Sequence, residues 1–239
     1  MRRRGPLRDR VALRALRVGT NVWRFGEWLG VDPIGATEGP PLPTGARREE
    51  FDELIAAALA GDGTIDAVTC HHPVHELLTY LVDEHDLLLH GSNNLALGRL
   101  EPRPARDLGT ELDAVVACAD GVWPLFYAVV ARERVRGIIN GCVHVGRARR
   151  LRRFYVFALV DADPAAATSW TPGAVYALPR SGFRREWGTE WVSPEPVEPL
   201  LRVLVRPEDF PLREVAIGVS PGEGFRSMRR RFRAARDAS

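Results

Sequence analysis

Residues 87–93 read Leu87-Leu88-Leu89-His90-Gly91-Ser92-Asn93, a short apolar run that stops at a histidine and a glycine. A run of this length bounded by Gly predicts a buried strand. Two helices are predicted before it. Apolar residues fall at helical spacing over 49–59 (Phe51, Leu54, Ile55, Ala58, Leu59), and Gly61 stops them. Pro73 opens the second, with Val74, Leu77, Leu78 and Leu81 on one face. Beyond the strand, residues 93–112 read as a loop containing Pro102, Pro104 and Gly109. Ala114-Val115-Val116-Ala117-Cys118 predicts another buried strand, and Asp120-Gly121 turns the chain into a helix over 122–132. After residue 135 the pattern is mostly strands: 137–145, 153–160, 175–178, 190–193 and 200–205. They lie too close together for crossover helices. Helices followed by a strand-rich second half predict an α+β fold.

The 239 residues hold 45% hydrophobic and 27% charged side chains, enough to build a core without staples. The formal net charge is only +2, so strong whole-molecule attraction to nucleic acid or anionic membrane is not implied. Every basic residue is Arg. The Arg residues cluster at 2–4, at 147–153 and at 229–233; solvated faces are favoured over a nucleic-acid site, for which the interleaved aromatic residues of single-strand binding are missing. Residues 1–30 read as a basic, partly amphipathic arm, 31–45 as a Pro/Gly linker, and 226–236 as a solvated basic helix. Three widely spaced cysteines, Cys70, Cys118 and Cys142, suit a reduced, cytoplasmic compartment better than a disulfide framework. No run approaches the ~20 apolar residues of a membrane span. Cys70-His71-His72 with His75 and Glu76 has zinc-type ligands, but Pro73 splits the group and no second ligand pair follows. It reads as a helix N-terminus with surface histidines, and no metal is expected there.

The stretch from Leu88 to Asn93 resembles the first motif of the ADP-ribosyltransferases of the poly(ADP-ribose) polymerase and diphtheria-toxin group, an apolar strand ending in His-Gly-Ser or His-Gly-Thr. Two later segments are similar to that family in the same order. Ala114-Val115-Val116-Ala117, followed by a helix carrying Phe126 and Tyr127, resembles the second motif; Thr189-Glu190-Trp191-Val192 resembles the third. The resemblance covers residues 86–206 and implies an ADP-ribosyltransferase-like split β-sheet core with N-terminal helices. The domain so implied spans 46–225, between the arm and linker of 1–45 and a basic tail at 226–239.

The resemblance also implies chemistry. NAD is the expected substrate. The nicotinamide amide would pair with the backbone at Gly91, where a missing side chain permits close approach. His90 would bond the adenosine ribose, and Ser92 would add a hydroxyl near the amide. Phe126 or Tyr127 would stack on the nicotinamide ring. Arg103 would meet ribose or phosphate oxygens. Glu190 would stabilise the oxocarbenium-like ribose left as nicotinamide departs. Water would make the chain an NAD glycohydrolase; a protein or nucleic acid acceptor would make it a transferase. The family's second motif often begins with Tyr, where this chain has Val115 or Val116. That departure motivates an alternative, a non-catalytic NAD or ADP-ribose binding module. RNA 2′-phosphotransferases share the fold and a His-Gly-Thr stretch but rely on Arg residues, and Glu190 argues against that reading.

Overall fold

A computed structural model describes residues 35–41, 47–104, 113–145 and 151–239. The basic arm expected at 1–30 lies outside the described residues, as does most of the linker and part of the Arg cluster at 147–153. The described chain is a mixed α+β fold with four α-helices and two sheets. In order the elements are β1 (Thr37–Glu38), α1 (Arg48–Ala60), β2 (Thr64–Asp66), α2 (Val74–Asp83), β3 (Leu87–Ser92), β4 (Arg103–Pro104), β5 (Asp113–Cys118) and α3 (Trp123–Val129). There follow β6 (Gly137–Val145), β7 (Arg152–Val160), β8 (Gly173–Pro179), β9 (Arg184–Trp187), β10 (Glu190–Ser193), β11 (Leu201–Val205), β12 (Ile217–Val219) and α4 (Phe225–Ala238).

The larger sheet runs β2-β11-β8-β3-β5-β10-β9, with β4 paired to the start of β5. All its pairs are antiparallel except β2 with β11. The smaller sheet is built on β7, which β6 follows through nine residue pairs. β1 and β12 take the other edge of β7 in succession. Thr37 and Glu38, read from sequence as linker, are therefore sheet residues.

One core fills the space between the large sheet, helices α1 to α3, and β7. Leu77, Leu78 and Leu81 of α2 enter it fully buried, as do Leu125 and Phe126 of α3. Each such side chain contributes about 1.5–3 kcal/mol relative to exposure. Leu88, Val115, Ala117, Tyr176 and Leu178 form a second cluster on the opposite face of the sheet. Pleat alternation explains the division, since Leu87 and Leu89 belong to the first cluster and Leu88 to the second.

Helix α3 sits with its backbone directly on the large sheet. A Cβ at Gly91 would lie 1.9 Å from the Pro124 carbonyl oxygen, and one at Gly173 would lie 1.8 Å from that of Ala128. Two side-chain-free positions on neighbouring strands make the seat. Asp120 fixes the start of the helix, its Oδ1 accepting from the Val122 and Trp123 amides at 2.9 and 2.7 Å. Val130 leaves the helix as extended chain and bridges Trp170, so α3 is shorter than the 122–132 predicted. Tertiary pairing wins there over local helix propensity. Helix α4 lies on the small sheet with Phe232 buried against Ile217 and Val219, so the expected basic helix is docked along one face.

Candidate functional site

β3 keeps register with β8 throughout, from Leu87↔Pro179 to Ser92↔Ala174, but shares only Leu89↔Cys118 with β5. Past Leu89 the two strands part. The polar end of β3, His90-Gly91-Ser92, runs along that opening. His90 bridges it, with Nδ1 2.8 Å from the Val116 carbonyl oxygen. A carbonyl only accepts, so Nδ1 carries the proton and donates. Burial lowers the affinity of the ring for a second proton; the bond to Val116 opposes this, and the charges of Arg103 and Arg132 add to it. The neutral ring leaves Nε2 as an acceptor, suited to a hydroxyl donor such as a sugar.

The loop after β3 is held from several sides. The Ser92 hydroxyl accepts from the Asn94 amide at 3.1 Å. Asn93 donates through Nδ2 to the Ala128 carbonyl at 2.7 Å, at the seat of α3. Tyr176, the residue across from His90, donates its hydroxyl to the Asn94 carbonyl at 2.6 Å and accepts from the Leu97 amide at 3.0 Å. His90 and Ser92 thus stand on a tied-down strand end.

The remaining expected residues differ in their surroundings. Arg103 is exposed on β4 and lies within electrostatic reach of His90. Tyr127 is half-buried; its hydroxyl donates to Asn140 Oδ1 at 2.9 Å, and the Arg132 guanidinium lies 5.7 Å from its ring centroid. Phe126, by contrast, is fully buried among Phe157, Trp170 and Phe210, with the Phe157 centroid 4.7 Å away. The sequence left either ring as the stacking partner of a ligand, and the structure gives Phe126 a core position. Of the two valines standing where a Tyr was expected, Val115 is buried in the second cluster and Val116 is half-buried.

Glu190 opens β10 opposite Cys118, which itself lies opposite Leu89. The three residues form one row across three strands. Strands about 4.8 Å apart put the Glu190 backbone roughly 10 Å from that of Leu89. Residues of one row share a face, so the pleat sends Glu190 toward the Cys118 side and His90, one residue on, toward the other. Burial raises the Cys118 thiol, and the carboxylates of Asp120 and Glu190 raise it further.

Arg132 and Asn93 escaped the sequence reading. The backbone amide of Arg132 donates to Asn93 Oδ1 at 3.4 Å. Asn93 follows His90-Gly91-Ser92 directly, so its place was open to inspection, whereas Arg132 joins the group only because α3 ends early. The Cys70 group is not wholly the surface feature its sequence suggested. His71 and His72 do pair with Glu50, at 3.4 and 3.2 Å. His75 and Glu76 are buried, however, and Arg47 pairs with Glu76. A groove of about 1030 Å³ lies elsewhere, lined by Asp161, Asp163, Arg213 and Arg231 among others. Among the described residues no helix is long and apolar enough to cross a membrane. Compared with protein-family models, with curated proteins and with solved structures, the chain finds no match.

Proposed function

We propose that this chain is an ADP-ribosyltransferase-like protein that binds NAD where β3 and β5 part and cleaves its nicotinamide–ribose bond. The observation that carries the reading is the parting itself, with His90-Gly91-Ser92 along one side and Glu190 on β10, on the far side of β5. Neutral His90 holds its Nδ1 proton on Val116 and offers Nε2 to a ribose hydroxyl. The Arg103 and Arg132 charges beside it suit the diphosphate. Of the two aromatic candidates, half-buried Tyr127 is the one left for the nicotinamide ring.

In the reaction, the nicotinamide–ribose bond breaks with its electron pair leaving on nicotinamide. The ribose becomes oxocarbenium-like, and water or an acceptor nucleophile adds to it and loses a proton. Glu190 acts as the carboxylate that stabilises the cation. The pleat directs Glu190 and His90 to opposite faces, so the nicotinamide ribose must sit in the opening, between the faces, to meet the carboxylate. Incubation with NAD, followed by chromatography for nicotinamide, tests the reading; a protein that binds NAD and never releases nicotinamide fails it. Valine at both 115 and 116, where a Tyr was expected, favours a second reading, an NAD-binding module without turnover, which that same result would support.

A further inference from the structure

Asp120 is fully buried beneath the start of α3. Its Oδ1 is taken by two helix amides, while Oδ2 faces Cys142 Sγ at 3.6 Å and His144 Nε2 at 2.8 Å. Cys142 and His144 are two residues apart on β6, so pleat alternation aims both from one face of the strand. One atom from each of the three residues lies within 4.8 Å of the others. The Thr189 hydroxyl lies beside the Cys142 sulfur. It is buried, with 7% of the residue exposed, and among the described residues it has no hydrogen-bond partner of normal geometry. The Tyr155 hydroxyl donates to Oδ2 at 2.8 Å, and Arg153 Nε lies 3.8 Å from the same oxygen. Arg153 also reaches Asp83, at 3.6 Å, so its charge is matched outside the cluster.

We propose that Asp120, Cys142 and His144 bind one zinc-class divalent cation. One carboxylate oxygen, one thiolate and one imidazole nitrogen make a mixed donor set of the kind zinc accepts, and the two anions neutralise the dication. The fourth position faces the Thr189 hydroxyl, which would hold a water there. Coordination requires the Cys142 thiol to give up its proton to solvent, and His144 to carry its proton on Nδ1, so that Nε2 trades its bond to Asp120 for a lone pair on the metal. Tyr155 remains on Oδ2 as an outer hydrogen bond that orients the carboxylate. Such an ion would join the loop between β5 and α3 to β6, and so tie the two sheets together. The zinc-type residues conspicuous in the sequence, Cys70 with His71 and His72, are not this set.

The test uses the full chain loaded with Zn²⁺ or Co²⁺ and freed of loose ions by gel filtration. One equivalent of metal per chain is expected, with release of protons on binding and a thiolate-to-cobalt charge-transfer band for Co²⁺. Zinc should also protect Cys142 from alkylation, a reading that needs no variant. Cys142→Ser should abolish the band and weaken binding by at least ~10-fold, while Cys70→Ser should change neither. Absence of stoichiometric metal in the wild type would overturn the proposal. So would metal and band that survive in Cys142→Ser or vanish in a folded Cys70→Ser.

Discussion

A methyl group at Gly91 would meet the Pro124 carbonyl, which belongs to a helix backbone and cannot rotate away. The glycine is therefore required by packing, whatever approaches its other side. Gly91→Ala is expected to destabilise the protein by on the order of 3 kcal/mol, the upper range for overpacking. Urea denaturation checks this, and a neutral substitution would contradict the seating of α3. His75 gives a second residue-scale expectation. Burial, then the charges of Arg47 and Arg153, push its imidazole down to about 4. Above its unfolded value near 6.5 both states are neutral there. As pH falls below that, the unfolded chain takes up a proton that the folded chain refuses, so stability is lost between about 6.5 and 4, by up to about 3 kcal/mol. His90, also held below its ordinary value, acts in the same direction. Denaturant midpoints measured from pH 7 to 4 should fall in the wild type and fall less in His75→Gln; a flat wild-type profile would contradict the burial of His75.

Elements with a strong pattern of their own were legible before any coordinates. Gly137–Val145 and Glu190–Ser193 have the bounds expected from sequence, because Gly and Pro punctuate long or well-alternating apolar runs. β9, with Arg184, Arg185 and Glu186 in four residues, has no apolar alternation and exists because β10 pairs with it. β12 has three residues and depends on β7 in the same way. The candidate site follows the same division. His90, Gly91, Ser92, Asn93 and Glu190 stand in local motifs, whereas Arg132 and the Asp120 cluster are assembled by contacts between distant segments. Helix α4 illustrates how a polar sequence conceals docking, since six Arg residues surround one buried phenylalanine. Phe232→Ala should cost about 3 kcal/mol in stability. It should leave NAD affinity unchanged, because α4 rests on the smaller sheet and the proposed site lies in the larger one. A loss of affinity in a folded Phe232→Ala protein would contradict the placement of the site away from α4.

At the scale of the molecule, the larger sheet presents the opening and the smaller one braces α3, which in turn carries Tyr127 and closes on Gly91. Tyr155 and His144 of the smaller sheet meet Asp120 at the start of that helix. Burial alone would raise the Asp120 carboxyl, but the bond and charge of His144, the charge of Arg153 and the Trp123 amide hold it below the ordinary carboxylate range. A ligand that binds only this folded arrangement stabilises all of it, by about 2.7 kcal/mol at ~100-fold excess over Kd. NAD should accordingly raise the thermal midpoint, and no shift at a saturating dose would count against binding. The decisive measurement pairs NAD affinity, by calorimetry, with nicotinamide release, by chromatography, in the wild type, Glu190→Gln and His90→Ala. Glu190→Gln should bind NAD nearly as well as the wild type and release nicotinamide at least ~100-fold more slowly, as expected when a charge acts mainly in the transition state. His90→Ala should lose about 1–3 kcal/mol of affinity, because its bond to ribose already exists in the ground state. Undiminished nicotinamide release by Glu190→Gln, or a wild type that binds neither NAD nor nicotinamide, would contradict the proposed function.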